Sequence, residues 1–127
     1  MAFEQALANA ARETRIRLLV LFGSRARGAV HAHSDWDFGY IGDDQPDEDL
    51  LRDRLMQILG TDRIDLVDLS KASALLRFKV AAEGNPIFED TTGLFQQLQI
   101  QSASFWCDIE PVLRRTYAQI LERVKAA

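Results

Sequence analysis

The sequence predicts an α/β (α+β) fold in which a small mixed β-sheet is flanked by helices. Three observations support this prediction: short apolar runs of strand length, helical periodicity between them, and glycine or proline at many of the junctions. Three of the strand candidates are the runs "IRLLVLF", "DWDFGYI" and "RIDLVDL". The alternation of these runs with helical segments argues against an all-helical or all-β chain.

The first half of the chain alternates helical and extended patterns. Apolar residues at helical spacing predict an amphipathic helix over residues 2–14. The run at 16–22 stops at Gly23, which predicts a largely buried strand, and residues 35–41 alternate as a second strand. The turn residues of "GDDQPDED" then lead into a helix that Gly60 closes, and its predicted apolar side consists of Leu50, Leu51, Leu55, Ile58 and Leu59.

The second half predicts one more strand, a helix, an edge strand and a long helical segment. Residues 63–69 are rich in branched apolar side chains, and Ser70 is the predicted cap of a helix that ends at Gly84. The stretch "NPIFED" predicts a short edge strand, because proline cannot donate a hydrogen bond to a sheet. Residues 91–127 predict one long helix, or two helices broken near Pro111.

Length and composition favour a single domain over residues 1–127, with a core at about 15–90 and a C-terminal helical segment at about 91–127. The formal net charge of −4 argues against direct nucleic-acid binding, which favours basic proteins. No window approaches the roughly 18 apolar residues of a membrane span. The single cysteine, Cys107, excludes an internal disulfide and predicts the reducing cytoplasm.

The stretch "LLVLFGSRARGAVHAHSDWDFGYIG", residues 18–42, contains the predicted functional residues. A Gly-Ser turn after a strand presents backbone N–H groups that can bind an anion. Gly23 permits close approach of a phosphate, and Ser24 adds a hydroxyl donor. Arg25 and Arg27 can supply charge-assisted contacts to the outer phosphates of a nucleotide.

Two carboxylates follow on the next strand. Asp35 and Asp37 are two residues apart, so they point to the same face and can converge on divalent ions, for which Mg²⁺ is the preferred candidate and Mn²⁺ the alternative. The third strand offers Asp65 or Asp68, which face opposite sides; we favour Asp65 because it lies within the strand. His31 and His33 lie in the intervening loop, and two histidines without a cysteine partner do not predict a zinc site.

These residue types together predict nucleotidyl transfer. Metal ions held by the carboxylates would orient the α-phosphate and activate a hydroxyl, while the Gly-Ser turn and the arginines would hold the phosphates that leave. Catalysis of this kind depends mainly on positioning and charge neutralisation.

The segment "GSRARGAVHAHSDWD" contains Gly-Ser, ten intervening residues and then Asp-x-Asp, and it resembles the signature of the DNA polymerase β-like nucleotidyltransferase superfamily. The resemblance implies the polymerase β-like nucleotidyltransferase fold. It also implies that Gly23 and Ser24 form the phosphate turn, that Asp35 and Asp37 bind two metal ions, and that Asp65 is the third acid. It covers roughly residues 15–90 well and the C-terminal segment only generically.

The small size resembles the minimal nucleotidyltransferases, which often act as antitoxins of HEPN-domain ribonuclease toxins. This resemblance implies that the chain transfers AMP from ATP to a tyrosine of the toxin, within a hetero-oligomeric complex, and thereby neutralises it. Two alternatives stay open: transfer to a small molecule, as in aminoglycoside-modifying enzymes, and a non-catalytic antitoxin that only covers its partner. The nucleotide preference, the number of AMP units and the acceptor residue are not predicted by the sequence.

Overall fold

The structure, a computed structural model, describes residues 3–28 and 35–126, which form four helices and four strands. In chain order the elements are α1 (Glu4–Glu13), β1 (Ile16–Phe22), β2 (Trp36–Gly42), α2 (Glu48–Leu59), β3 (Ile64–Asp68), α3 (Ala74–Glu83), β4 (Asn85–Glu89) and α4 (Leu94–Ala126). The predicted α/β class is confirmed.

The four strands form one mixed sheet in the order β3-β2-β1-β4. Strand β1 pairs antiparallel with both β2 and β4, whereas β2 and β3 are parallel. Strand β4 lies at an edge, as predicted, where the missing N–H of Pro86 is tolerated.

Helices cover both faces of the sheet, because successive residues of β1 point to opposite sides. Leu19 and Leu21 pack with residues of α1 and α2. Leu18 and Val20 pack with residues of α3 and α4. The run 16–22 is therefore apolar throughout because both of its faces are buried.

Two details of the sequence prediction are wrong. Ser73, not Ser70, caps α3, because the Ser73 side chain accepts a hydrogen bond from the backbone N–H of Leu76. Ser70 instead lies in a turn, where its N–H and hydroxyl both donate to Asp68. Leu50 was expected on the buried side of α2, but it is 36% exposed, and only Leu51 and Leu55 of that helix are fully buried.

The C-terminal segment is one continuous helix with Pro111 inside it, so the first of the two predicted arrangements is the observed one. Its buried residues are Phe95, Leu98 and Ser102, and beyond Ser102 the described part of the helix has no buried residue. No helix formed by the described residues is long and apolar enough to cross a membrane.

Candidate functional site

The ends of three strands meet at one edge of the sheet. Phe22, the last residue of β1, pairs with Asp37 of β2, and Asp37 pairs in turn with Asp65 of β3. The Gly-Ser turn follows Phe22 directly, so it begins beside Asp37, and Asp65 lies one strand further along the same edge. The structure thus brings the predicted turn and the predicted acids, from segments forty residues apart, to one place.

Asp37 is the half-buried carboxylate at the centre of this edge. Burial raises the pKa of Asp37, and the negative charges of Asp65 and Asp35, together with a side-chain hydrogen bond to Asp65, raise it further. The three carboxylates are therefore close enough to repel one another, which disfavours the charged form of Asp37. A cluster of like charges that raises a pKa in this way is typical of functional sites.

The structure distinguishes Asp65 from Asp68. The register partner of Asp68 is Tyr40, so Asp68 lies towards the other end of β2 and on the opposite face from Asp37. Its carboxylate accepts hydrogen bonds from the N–H and the hydroxyl of Ser70, at 3.0 and 2.6 Å. Asp65 is thus the carboxylate of β3 that adjoins Asp37, as we favoured, and Asp68 stabilises a turn.

The Gly23 turn packs directly against Asp37. Gly23 has a φ of +75°, in the left-handed region, and a Cβ at this position would overlap the Asp37 carboxylate, lying 3.1 Å from its Cγ. The N–H of Arg27 donates to the carbonyl of Gly23 at 3.2 Å, which closes a helical turn over residues 23–27. Both the backbone conformation and the close approach require glycine here.

The two predicted phosphate-binding arginines adjoin this turn, but each has a partner. The Arg25 guanidinium lies 4.1 Å from the centroid of the Trp36 ring, which packs on the sheet face opposite Asp37. Arg27 forms an exposed ion pair with Glu83 of α3 at 3.2 Å. The sequence did not predict Glu83 as the partner of Arg27. The two residues are 56 positions apart, so no local pattern connects them. Phosphate binding by either arginine stays a prediction.

Among the described residues, the metal-binding groups at this edge are carboxylate oxygens. Carboxylates of this kind fit Mg²⁺ or Mn²⁺, and a dication would relieve the repulsion that raises the pKa of Asp37. Across residues 3–28 and 35–126, no three His, Cys, Asp or Glu side chains are already arranged to hold a metal ion. His31 and His33 lie outside the described residues.

The aromatic residues of β2 pack in the core. Trp36, Phe38 and Tyr40 lie on the face that contacts α1 and α2, and the rings of Trp36 and Phe38 stack with centroids 6.3 Å apart. The aromatic side chains are thus separated from the carboxylates by the alternation of the strand.

Comparisons with known proteins agree with this geometry. The family model "Polymerase beta, Nucleotidyltransferase" matches residues 4–92, which is most of the chain. A protein adenylyltransferase MntA of Aphanizomenon flos-aquae is 33% identical over 96 residues, which cover 66% of this chain and 64%, just under two thirds, of that protein. A protein adenylyltransferase MntA of Shewanella oneidensis is 30% identical over 118 residues, covering 83% of this chain and 82% of that protein.

Solved structures share the fold. A toxin–antitoxin structure with AMP-PNP superposes with a TM-score of 0.78 at 24% identity, covering 93% of this chain and 98% of the matched one. A complex of a tri-AMPylated Shewanella oneidensis HEPN toxin with its MNT antitoxin superposes with a TM-score of 0.71 at 22% identity, covering 94% and 97%. At this identity the solved structures establish the fold, and the family model establishes the relationship. The chain belongs to the polymerase β nucleotidyltransferase family.

Proposed function

We propose that this chain is an antitoxin that transfers AMP from ATP to a tyrosine of a cognate HEPN-domain ribonuclease toxin and thereby neutralises it. The observation that carries the proposal is the contact of the Gly23 turn with Asp37, which adjoins Asp65 at the same sheet edge. The two adenylyltransferase relatives support AMP as the transferred group and a protein as the acceptor. The complexes of HEPN toxin with MNT antitoxin support the class of partner.

In this proposal the tyrosine hydroxyl oxygen attacks the α-phosphorus of ATP. The bond from that phosphorus to the oxygen bridging the α- and β-phosphates breaks, and pyrophosphate leaves with the electron pair. Asp65 accepts the proton of the hydroxyl, or orients it, while the backbone N–H groups of Gly23 and Ser24 hold the departing phosphates. Arg27 joins them after exchanging Glu83 for a phosphate oxygen.

Asp35, Asp37 and Asp65 would hold two divalent ions, Mg²⁺ first and Mn²⁺ as an alternative. Bound ions would neutralise the phosphate charge and lower the pKa of the attacking hydroxyl. Asp37 is partly buried and experiences the negative charges of both other acids, so bound cations would relieve the repulsion at this carboxylate. A cytoplasmic location stays our prediction, in keeping with ATP as the substrate.

The experiment that tests the proposal is transfer of label from α-labelled ATP, with Mg²⁺, to the cognate HEPN-domain toxin. We compare the wild type with Asp37→Asn, and we use Asp68→Asn as the matched control on the opposite face. We expect labelled toxin with the wild type and the control, a loss of at least about a hundredfold in Asp37→Asn, and no transfer after chelation of the metal.

Two other results would each support an alternative. Stable binding of the two proteins without label, combined with full neutralisation by Asp37→Asn, would indicate a covering antitoxin. Label on a small molecule instead of the protein would indicate an aminoglycoside-type transferase.

A further inference from the structure

The second half of α4 presents a broad apolar face that nothing in the described structure covers. Phe105, Leu113, Ile120 and Val124 are 56%, 40%, 47% and 67% exposed. Residues 103–126 extend the helix by about 36 Å past its last buried residue. A helix of this length with an apolar side in water is marginal unless a partner packs against it.

This exposed face continues the face by which α4 already packs on the sheet. Phe95, Leu98 and Ser102 are buried, and steps of three, four or seven residues lead from them through positions 109, 113, 120 and 124. Such spacing keeps all of these side chains on one side of a helix. Helices α3 and α4 form one layer on the sheet. In the described structure, no further element of this layer packs against the second half of α4.

The width of the face indicates how many helices the partner contributes. From Val112 to Leu121 the exposed apolar side chains span about half of the helix circumference at 100° per residue. A strict two-helix seam is narrower, and an apolar stripe this wide packs against a multi-helix core. This width favours a groove between helices of a helical protein over one helix of a second copy.

A cavity lies at the point where the exposed face begins. It has a volume of about 360 Å³ and is lined by Ala72, Ala74, Arg77, Gln101, Ser102 and Phe105. The Ser102 hydroxyl is buried in the wall of this cavity, and it is without a hydrogen-bond partner among the described residues. Arg77 forms no ion pair or side-chain hydrogen bond within the part of the chain that the structure describes. A guanidinium without an ionic partner in a cavity suits an acceptor-only group, which a carboxylate provides.

The likeness to solved structures places this helix within the shared fold. The matches cover 93–94% of this chain and 97–98% of the matched chains, so most of α4 has a counterpart in chains from toxin–antitoxin complexes. The long helix is thus a feature of the fold and not an irregular extension.

We propose that the apolar face of α4 from Phe105 to Val124 docks the acceptor protein, whose helices pack along it and whose acidic side chain enters the cavity at Arg77 and Ser102. This inference rests on the proposed function for the identity of the partner, the HEPN-domain toxin. It adds the surface that holds the toxin while its tyrosine is modified.

The test measures the dissociation constant of the purified chain and its cognate HEPN-domain toxin by calorimetry. Ile120→Glu places a charge on the proposed surface, and Ala118→Glu makes the same change of charge on the polar side of the helix. We expect Ile120→Glu to weaken binding at least thirtyfold and Ala118→Glu less than threefold. Since residue 120 is exposed, both variants keep the thermal midpoint of the wild type.

The cavity is tested with Arg77→Gln against Lys79→Gln, which removes an exposed cation from the same helix. We expect Arg77→Gln to weaken toxin binding about tenfold and to leave the KM for ATP unchanged. A raised KM with unchanged toxin binding would assign Arg77 to the nucleotide and would overturn this part of the proposal.

The outcomes separate the docking surface from the chemistry. If Ile120→Glu binds the toxin as tightly as Ala118→Glu, the docking proposal is wrong even where AMP transfer occurs. If Ile120→Glu instead turns a dimer of the isolated chain into a monomer, the occupant is a second copy. If the wild type binds toxin tightly through this face but transfers no AMP, docking stands and the proposed function fails. Ile120→Glu leaves Asp35, Asp37 and Asp65 intact. We therefore expect a saturating toxin concentration to restore the wild-type kcat in this variant.

Discussion

Replacement of Gly23 by alanine should separate a general cost of folding from a specific loss of catalysis. The φ of +75° costs an L-residue about 1–2 kcal/mol. In addition, a Cβ at position 23 would lie 3.1 Å from Cγ and 3.3 Å from Cβ of Asp37, and would overlap one carboxylate oxygen. Ordinary carbon contacts are about 3.5–4.0 Å, so Asp37 must shift by about 1 Å.

A shift of about 1 Å in a positioned catalytic group lowers a rate by about a hundredfold. We therefore expect Gly23→Ala to reduce AMP transfer to the toxin about a hundredfold and to lower the thermal midpoint by roughly 4 °C per kcal/mol. The assay is initial-rate transfer from α-labelled ATP, together with thermal unfolding of the same preparations.

Gly28 provides the matched control. It has nearly the same φ, +76°, and among the described residues nothing lies within 4 Å of a Cβ built there. Gly28→Ala should lose about 1–2 kcal/mol of stability and keep the transfer rate within about threefold. Equal transfer rates in the two variants would refute the reasoning, because they would mean that the contact of the turn with Asp37 does not matter to catalysis.

Three further predictions follow from individual contacts. Arg27→Gln should raise the KM for ATP about tenfold, whereas Glu83→Gln, which removes only the competing partner, should not raise it; equal increases would assign the ion pair a purely structural role. Ser73→Ala should lower the free energy of unfolding by about 1 kcal/mol in urea titrations, and more than Ser70→Ala does, because Ser73 caps α3. Burial, followed by the hydrogen bond to Glu48, raises the pKa of Tyr40 above its usual value of about 10, so the contribution of Tyr40 to stability is present below about pH 10 and lost at higher pH. The unfolding free energy of the wild type should therefore fall more steeply above about pH 10 than that of Tyr40→Phe; parallel curves would show that the Tyr40–Glu48 contact is not responsible.

The sequence predicted the strands well because their apolar patterns depend on burial alone. The run 16–22 is buried on both faces, and the middle of β2, residues 38–40, is buried as well. The helix cap was wrong for a local reason: Ser70 and Ser73 both fit a capping position, and only the turn formed by Asp68 decides between them. This turn delays the start of α3 by one helical turn.

The sequence predicted those parts of the site that depend on residue spacing and on the alternation of side chains between the two faces of a strand. The separation of Asp65 from Asp68 by three residues places them on opposite faces, but only the parallel register of β2 and β3 places Asp65, and not Asp68, beside Asp37. The partners of Arg25 and Arg27 were not predictable, because stacking on Trp36 and pairing with Glu83 depend on how the turn lies across the sheet edge. Contacts between exposed long side chains leave no periodic signal in a sequence.

The sheet edge at Asp37 lowers the stability of the fold and, among the described residues, supports no structural contact in exchange, which indicates that the edge is functional. Asp68 has its charge compensated by Ser70 and Lys71, as a carboxylate with a structural role does. Asp37 instead lies half-buried between two other acids, under a turn whose glycine adopts a φ that few residues tolerate. Folding alone would remove such repulsion with a single neutral side chain at position 37. The presence of three acids next to an anion-binding turn is explained if the site binds both cations and phosphates. The cations neutralise the carboxylates, and the phosphates are neutralised by the cations and the turn.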